Sequence, residues 1–250
     1  MLKILNHRFQ TKPFISPFNK VKGNFFLKSL TLKFFHLHEF EAKVLLKKHG
    51  LNVEQCYLAK SINEATYYAS KLNNIAIIKC QVHAGGRSKG RLTSGLQGGV
   101  QVCRSEEDVK NITKQMLGYN LITAQTTEEG LPVNALMISE KIEVKKLFYL
   151  AIVLDRQSQG PILLASNEGG VDIEDVSSKN PEAIIKERIN FLEGLTDEKI
   201  KNVVERLNFT DKERIQAIDQ LKRLYKMFIK YDITQIEINP WAVDASGKVK

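Results

Sequence analysis

The stretch IAIIKCQVHAGGRSKG, residues Ile75–Gly90, joins an apolar run to a lysine and then to a loop of glycines and cations. IAIIKC reads as a buried strand ending at Lys79, a point charge placed where it could meet a phosphate. Gly85 and Gly86 let backbone N–H groups turn toward an anion. Arg87 and Lys89 add charge-assisted donors. The pattern is neither GxxxxGK[ST] nor a GxGxxG that opens a helix. A strand, GGVQVCR, follows, so no helix N-terminus is expected to assist. Taken alone, the stretch reads either as a hairpin connection or as a flexible phosphate flap between two strands.

Outward from the loop, helices and strands interleave. Leu37–His49 carries apolar residues at helical spacing (Phe40, Val44, Leu45) and stops at Gly50. VEQCYLA reads as a strand. SINEATYYASKLN opens on a Ser61/Glu64 capping box. SEEDVKNITKQMLG reads as a helix between Ser105 and Gly118, and VNALMIS as a strand. KLFYLAIVLDR and GPILLAS read as an antiparallel hairpin. Pro181 suits the first turn of a helix. Thr210 and Glu213 cap a long helix expected to bury Ile215, Ile218, Leu221, Leu224 and Phe228. ITQIEINP reads as a strand ended by Pro240, and VDASGKVK as the start of a last hairpin, with the chain stopping within its second strand. The expected fold class is α+β or mixed α/β.

The net charge of +9 is uneven. Residues 1–38 hold seven Lys and Arg and no acid, leaving 30 cations against 28 acids in the rest. The basicity belongs to the leader, so charge gives little support to a nucleic-acid partner. The leader is Phe-rich and lacks one uninterrupted apolar block. Residues 1–36 therefore read as a transit peptide of mitochondrial type, outside the fold. No apolar run is long enough to span a membrane. Cys56, Cys80 and Cys103 are far apart, as expected of buried reduced thiols.

Other positions are weaker signals. EINP puts Glu237 and Asn239 two apart on a strand, hence on one face, where oxygen ligands could meet Mg²⁺; a solvated strand edge is the other reading. Glu140 ends an apolar strand and could accept from a nucleotide or be simply exposed. The glycine pair in NEGGVDIED reads as a tight turn. His83 reads as a lone structural histidine. No Ser/His/Asp or Cys/His set and no zinc spacing occurs.

Together, LHEFEAKVLLKKHG, KCQVHAGGRSKG, SGLQGGV, SNEGGVDIEDV and IEINP, in this order, resemble the β subunits of succinyl-CoA synthetase (succinate–CoA ligase) over about Leu37–Lys250. The resemblance implies an ATP-grasp fold over residues 37–250, two α+β subdomains clamping a nucleotide. It implies an acid–thiol ligase of the tricarboxylic acid cycle, working with an α subunit in a heterodimer and located in the mitochondrial matrix or a related organelle. Succinate, CoA and ATP or GTP interconvert with succinyl-CoA, the diphosphate and phosphate, through a phosphohistidine on the α subunit. Carried over by residue, Lys79 contacts the nucleotide phosphates, and Gly86, Arg87 and Ser88 close over them. Glu140 and Ile142 meet base and ribose. Asn239 ligates Mg²⁺, and Glu237 faces the phosphohistidine.

The resemblance also marks departures. Ser88 stands where glycine is usual, a tolerable change that adds a hydroxyl. Glu54 stands where a glutamine marks the GTP form and a proline the ATP form, so the nucleotide stays open. A second metal ligand, an aspartate, and a CoA-ligase domain are expected beyond Lys250, and the edge of the last hairpin is expected to be unpaired. The 250 residues alone are expected to turn over weakly or not at all. Two other readings are a related malate or citrate CoA-ligase subunit and a truncated, non-catalytic nucleotide-binding or assembly module.

Overall fold

The computed structural model describes residues 2–5, 36–155 and 159–250. Two antiparallel sheets, each with its own apolar core, make the bulk of the fold. The chain begins with β1 (Leu2–Leu5) and α1 (Glu39–Lys48). The first half then runs β2 (Cys56–Ala59), α2 (Ile62–Ser70), β3 (Ala76–Cys80), β4 (Arg91–Leu92), β5 (Val100–Cys103), α3 (Glu106–Met116), β6 (Asn120–Ile122), β7 (Leu131–Pro132) and β8 (Leu136–Glu140). Strands β2, β8, β3 and β5 pair in that order, and β4, β6 and β7 form a small separate sheet. Ser61 and Ser105 cap their helices, but the box at Ser61 is only half formed, since Glu64 Oε2 accepts from the Lys60 amide at 2.6 Å instead of from Ser61. Ser61 accepts from the Glu64 amide, and Ser105 from the Asp108 amide. Ala65 and Ala69 of α2, with Val109 and Met116 of α3, close over Ile78 and Ile138.

The second half runs β9 (Val144–Asp155), β10 (Gly160–Ser166), α4 (Ile173–Lys179), β11 (Ile184–Arg188), α5 (Asp197–Glu205), α6 (Asp211–Lys230) and β12 (Gln235–Asp244). Its sheet order is β1-β12-β9-β10-β11. Helices α5 and α6 cover Leu150, Ile152, Leu163 and Ile236 on one face, and Ala42 and Leu46 of α1 join the same core. Helix α1 thus packs with the second half while its N-terminal turn reaches the first, where Phe40 donates its amide to Gln81 Oε1 at 2.9 Å.

Several expectations are corrected. Pro181 begins only a single 3₁₀ turn, Pro181–Ala183. The following IIKER leaves it to pair with β10, because sheet pairing outweighs a local helix signal. Ile215 is 71% exposed. Repeated steps of three drift around a helix of 3.6 residues per turn, so the buried stripe is Ala217, Gln220, Leu221, Leu224, Met227 and Phe228. Pro240 does not end its strand. The Asn239–Pro240 peptide is cis, the register shifts between Ile238 and Trp241, and pairing with β9 resumes at Trp241 opposite Phe148. Trp241 is held there by Phe148 and Phe209, with ring centroids 4.2–6.4 Å apart in the trio.

The glycine loop does not run straight into a strand either. It contains a 3₁₀ turn, Arg87–Lys89, and then β4. Within the leader, Leu2–Leu5 form an edge strand on Gln235–Ile238, so that stretch belongs to the sheet and the edge there is paired. The rest of the expected transit peptide up to Phe35 lies outside the described residues. The last hairpin closes as expected, with Lys250 and Ala242 exchanging both backbone hydrogen bonds at 2.8 and 2.9 Å. No described helix is long and apolar enough to cross a membrane.

Candidate functional site: a two-ended cleft

Strand alternation starts the site. In β3, Ala76, Ile78 and Cys80 point into the first core, so Ile77 and Lys79 share the opposite face and line a cleft between the halves. The cleft has two cavities that share Glu39, Lys79, Asn239 and Pro240.

One cavity, of about 220 Å³, is mainly apolar, lined by Leu46, Leu51, Val53, Ile142, Val144 and Trp241. Glu54 and Glu140 stand at its wall. Glu54 pairs with Lys43 and lies 3.7 Å from Lys79. Burial alone would raise its carboxyl, but Lys43 and then Lys79 hold it below the usual range. Glu140 is held by Lys250 at 3.1 Å and accepts from the Gln55 amide at 3.3 Å. Lys250 also reaches Asp244 at 3.2 Å.

The other cavity, of about 260 Å³, is mostly polar, lined by Gly85, Gly86, Arg87, Ser88, Gln125, Asp172, Glu174, Glu237 and Asn239. Here the glycine loop meets the EINP strand. The loop is latched rather than free. Gly85 donates to Gln125 Oε1 at 2.7 Å, Gly99 to the Arg87 carbonyl at 2.7 Å, and Gly98 to the Gly90 carbonyl at 2.7 Å. Gly86 has φ +67°, a conformation that L side chains rarely adopt. The guanidinium of Arg87 is buried, donating to the Cys80 carbonyl at 2.7 Å and to Glu39 Oε2. Lys89 reaches across to Asp172 at 2.6 Å.

Glu39, in the first turn of α1, is the hub of the charges. It meets Arg87, Lys79 at 3.0 Å and Lys43 at 3.5 Å. Burial alone would raise its carboxyl, yet Lys79, Arg87 and Lys43 hold it well below the usual carboxylate range. Beside this hub, His83 is not alone. Its ring stacks on His38 at 3.9 Å and meets His36 edge-on at 5.7 Å.

Asn239 uses both ends of its amide. Oδ1 accepts from Gly170 N–H at 2.6 Å, and Nδ2 donates to the Val171 carbonyl at 2.8 Å. The glycine pair is therefore part of the site wall. The donors around this end are oxygens: the Glu237 carboxylate and the second lone pair of the Asn239 carboxamide. That set fits in kind a hard divalent cation such as Mg²⁺, which takes one or two protein ligands and completes its shell with water and phosphate oxygens. Among the described residues, no group of three or more His, Cys, Asp or Glu is arranged to hold a metal by itself.

Lys79, Gly86, Arg87, Ser88, Glu237 and Asn239 all fall at the polar end, and Glu54, Glu140 and Ile142 at the apolar end. Sequence reasoning missed Glu39, Lys43, Gln125 and Lys250. The i,i+4 spacing of Glu39 and Lys43 was the one local signal; the other contacts join residues far apart in the chain. The cysteines behave as expected of inert thiols. Burial pushes Cys80 up to about 12, and Cys56 and Cys103 to about 11.

A cleft with a polar and an apolar end between two antiparallel α+β halves, with a glycine loop over the polar end, defines a class of protein, and the family comparison agrees. The ATP-grasp domain model matches residues 36–243, and the chain belongs to that family. Its relatives include the mitochondrial GDP-forming succinate–CoA ligase β subunit of Sus scrofa, 43% identical over 218 residues, 87% of this chain and 50% of that protein. The ADP-forming β subunit of Dictyostelium discoideum is 45% identical over 87% of this chain and 49% of its own. The hydrogenosomal ADP-forming β subunit of Neocallimastix frontalis is 43% identical over 87% and 50%. The chain thus spans about half the length of these relatives. Among solved structures, ATP citrate lyase of Methanothrix soehngenii superposes with TM-score 0.63 at 18% identity, over 85% of this chain and 48% of that one. A dinucleotide-forming acetyl-coenzyme A synthetase of Ca. Korarchaeum cryptofilum does so with TM-score 0.58 at 18% identity, over 82% and 85%. At such identities these two establish the fold alone.

Proposed function

We propose that this chain is the nucleotide-binding region of a succinate–CoA ligase β subunit, and that its cleft passes a phosphoryl group between ATP or GTP and a phosphohistidine on an α-subunit partner. The observation that carries the reading is the meeting, in one cleft, of Lys79 and the Gly85–Ser88 loop with Glu237 and Asn239, beside an apolar chamber. The identity to β subunits of that ligase supports the substrate class.

In this reading the apolar chamber takes base and ribose, with Glu54, Glu140 and Ile142 at its wall. Lys79 and the loop amides take the phosphates. Phosphoryl transfer asks for positioning and charge neutralisation more than for covalent chemistry from this chain. Glu237 faces the incoming histidine and orients it. Asn239 would hold Mg²⁺, which, when bound, neutralises charge on the phosphate oxygens. The buried Arg87 takes a different part from the one the motif suggests. Its guanidinium is spent on Glu39 and the Cys80 carbonyl, so it holds the loop while Lys79 and the backbone amides meet the anion. The leader and the organelles of the relatives support a mitochondrial or hydrogenosome-like matrix. Succinate and CoA would be handled by the assembled complex.

The test is isothermal titration of ATP and GTP into the chain with and without Mg²⁺. Metal-dependent binding of either nucleotide is expected, and its absence would refute the reading. Phosphorylation of a co-purified α subunit from the bound nucleotide then tests the transfer itself.

A further inference from the structure

We propose that Glu39 is a positioning residue for the phosphate end of the cleft: its carboxylate aims the Lys79 ammonium and, through Arg87, latches the glycine loop. The inference rests on the nucleotide-site reading above and goes beyond the motif residues.

Three cations from three elements converge on this carboxylate: Lys43 from α1, Lys79 from β3 and Arg87 from the loop. One cation would neutralise the charge; three fix where the carboxylate and its partners sit. Here the two oxygens are divided. Oε2 takes the Arg87 guanidinium, whose other acceptor is the Cys80 carbonyl. Oε1 takes Lys79 and, more loosely, Lys43. Lys79 stays partly open to both cavities, whereas Glu39 and Arg87 are closed in. The arrangement therefore presents one ammonium and a fixed loop backbone to the polar cavity.

Glu39 is itself fixed from behind. It sits in the first turn of α1, and the next amide, Phe40 N–H, is bound to Gln81, whose side chain also returns to the Lys79 carbonyl at 3.2 Å. Ala42 and Leu46 bury the same helix in the second core. The hub thus transmits the position of the second half to the phosphate loop of the first. Its charge is secure at neutral pH, since the surrounding cations hold the carboxyl well below its ordinary range against the effect of burial.

The test compares ligands with and without phosphate. ATP and GTP are titrated by calorimetry, and adenosine and guanosine by ligand-observed NMR, into the full chain, Glu39→Gln, Glu39→Asp, Arg87→Ala and the double variant Glu39→Gln/Arg87→Ala. Thermal melts establish that each is folded. The expected result is a loss of triphosphate affinity on the order of ten- to a hundred-fold in Glu39→Gln, with nucleoside affinity unchanged. Glu39→Asp, which keeps the charge but not the reach, falls between. The double variant loses less than the two single losses combined, since both act through one latch. Unchanged or tighter triphosphate binding in Glu39→Gln would overturn the inference, as would a parallel fall of nucleoside affinity, which marks a role in the fold alone. If Glu39→Gln does not fold, Glu39→Asp carries the comparison; if neither folds, Glu39 is a folding residue and the inference fails. A wild-type chain that binds no nucleotide refutes the site reading itself, a result distinct from all of these.

Discussion

Asn239 holds Gly170: the carboxamide oxygen accepts the Gly170 amide at 2.6 Å, while the same side chain donates to the carbonyl of Val171 at 2.8 Å. The residue expected to bind metal is thus also the clamp on the glycine-pair turn. Asn239→Ala should free that turn without unfolding the sheet. Amide exchange at residues 169–172 is expected to quicken about five-fold, as for loss of a hydrogen bond worth about 1 kcal/mol. Metal-dependent nucleotide affinity should fall with it. Unchanged exchange would show that the clamp contributes nothing in solution.

Gly169, beside that turn, has no room for a side chain. A Cβ there would lie 2.3 Å from backbone atoms of Phe148. Gly169→Ala is expected to cost about 1–3 kcal/mol, the range for overpacking against atoms that cannot rotate away. Gly247→Ala is the control. It is strained only by its positive φ, with open space around the added methyl. Urea denaturation should rank Gly169→Ala as the more damaging of the two.

Lys250 ties Glu140 and Asp244 together at the apolar end. Burial alone would raise the Asp244 carboxyl, but Ser246, the Lys248 amide and Lys250 bring it to about 2. Lys250→Ala should lower stability by about 1 kcal/mol, a modest figure because Glu140 is partly solvated. The Asp244 share of stability should be present above about pH 3.8 and be lost as pH falls toward 2. A Lys250→Ala denaturation midpoint equal to wild type would contradict this.

The cleft hub predicts a specific acid limb. Glu39 and Glu54 both have depressed carboxyls, so the unfolded chain binds protons more readily than the folded one. Their stabilisation is present above the ordinary value of about 4.5 and is lost as pH falls from there through their folded values. A second decline should begin higher, below the ordinary imidazole value of 6.5. Burial lowers His38 and His83, with Arg87 adding to the effect on His38 and His38 to that on His83, while Glu41 opposes both. Denaturation midpoints between pH 3 and 8 should show both limbs. His83→Phe should weaken the upper one, to which His38 and His49 also contribute, and leave the lower; Glu39→Gln should reduce the lower.

Much of the fold was legible because its signals are local. Ser61 and Ser105 cap helices through hydrogen bonds to residues three positions on, and the alternation in IAIIKC is a property of any strand with one buried face. Where local and distant interactions competed, the distant ones decided. Ile184–Arg188 joined β10 although Pro181 favoured a helix, and β12 passed through Pro240 because Trp241 packs against Phe148 and Phe209.

The site divides in the same way. Residue types and their local spacing set the chemistry on offer: a lysine at a strand end, a loop of glycines and cations, and a carboxylate and carboxamide two residues apart. Their order along the chain resembles that of succinate–CoA ligase β subunits, and that resemblance implied a nucleotide clamp. How these groups are used depends on contacts that form only when the chain folds. Glu39 and Arg87 are 48 residues apart, as are the loop and Gln125 by 40, and no periodicity records such a meeting. Burial then set their roles, because a charge removed from water must be neutralised by a partner within reach. Arg87 is therefore held as a latch, and Lys79 is the ammonium that faces the polar cavity.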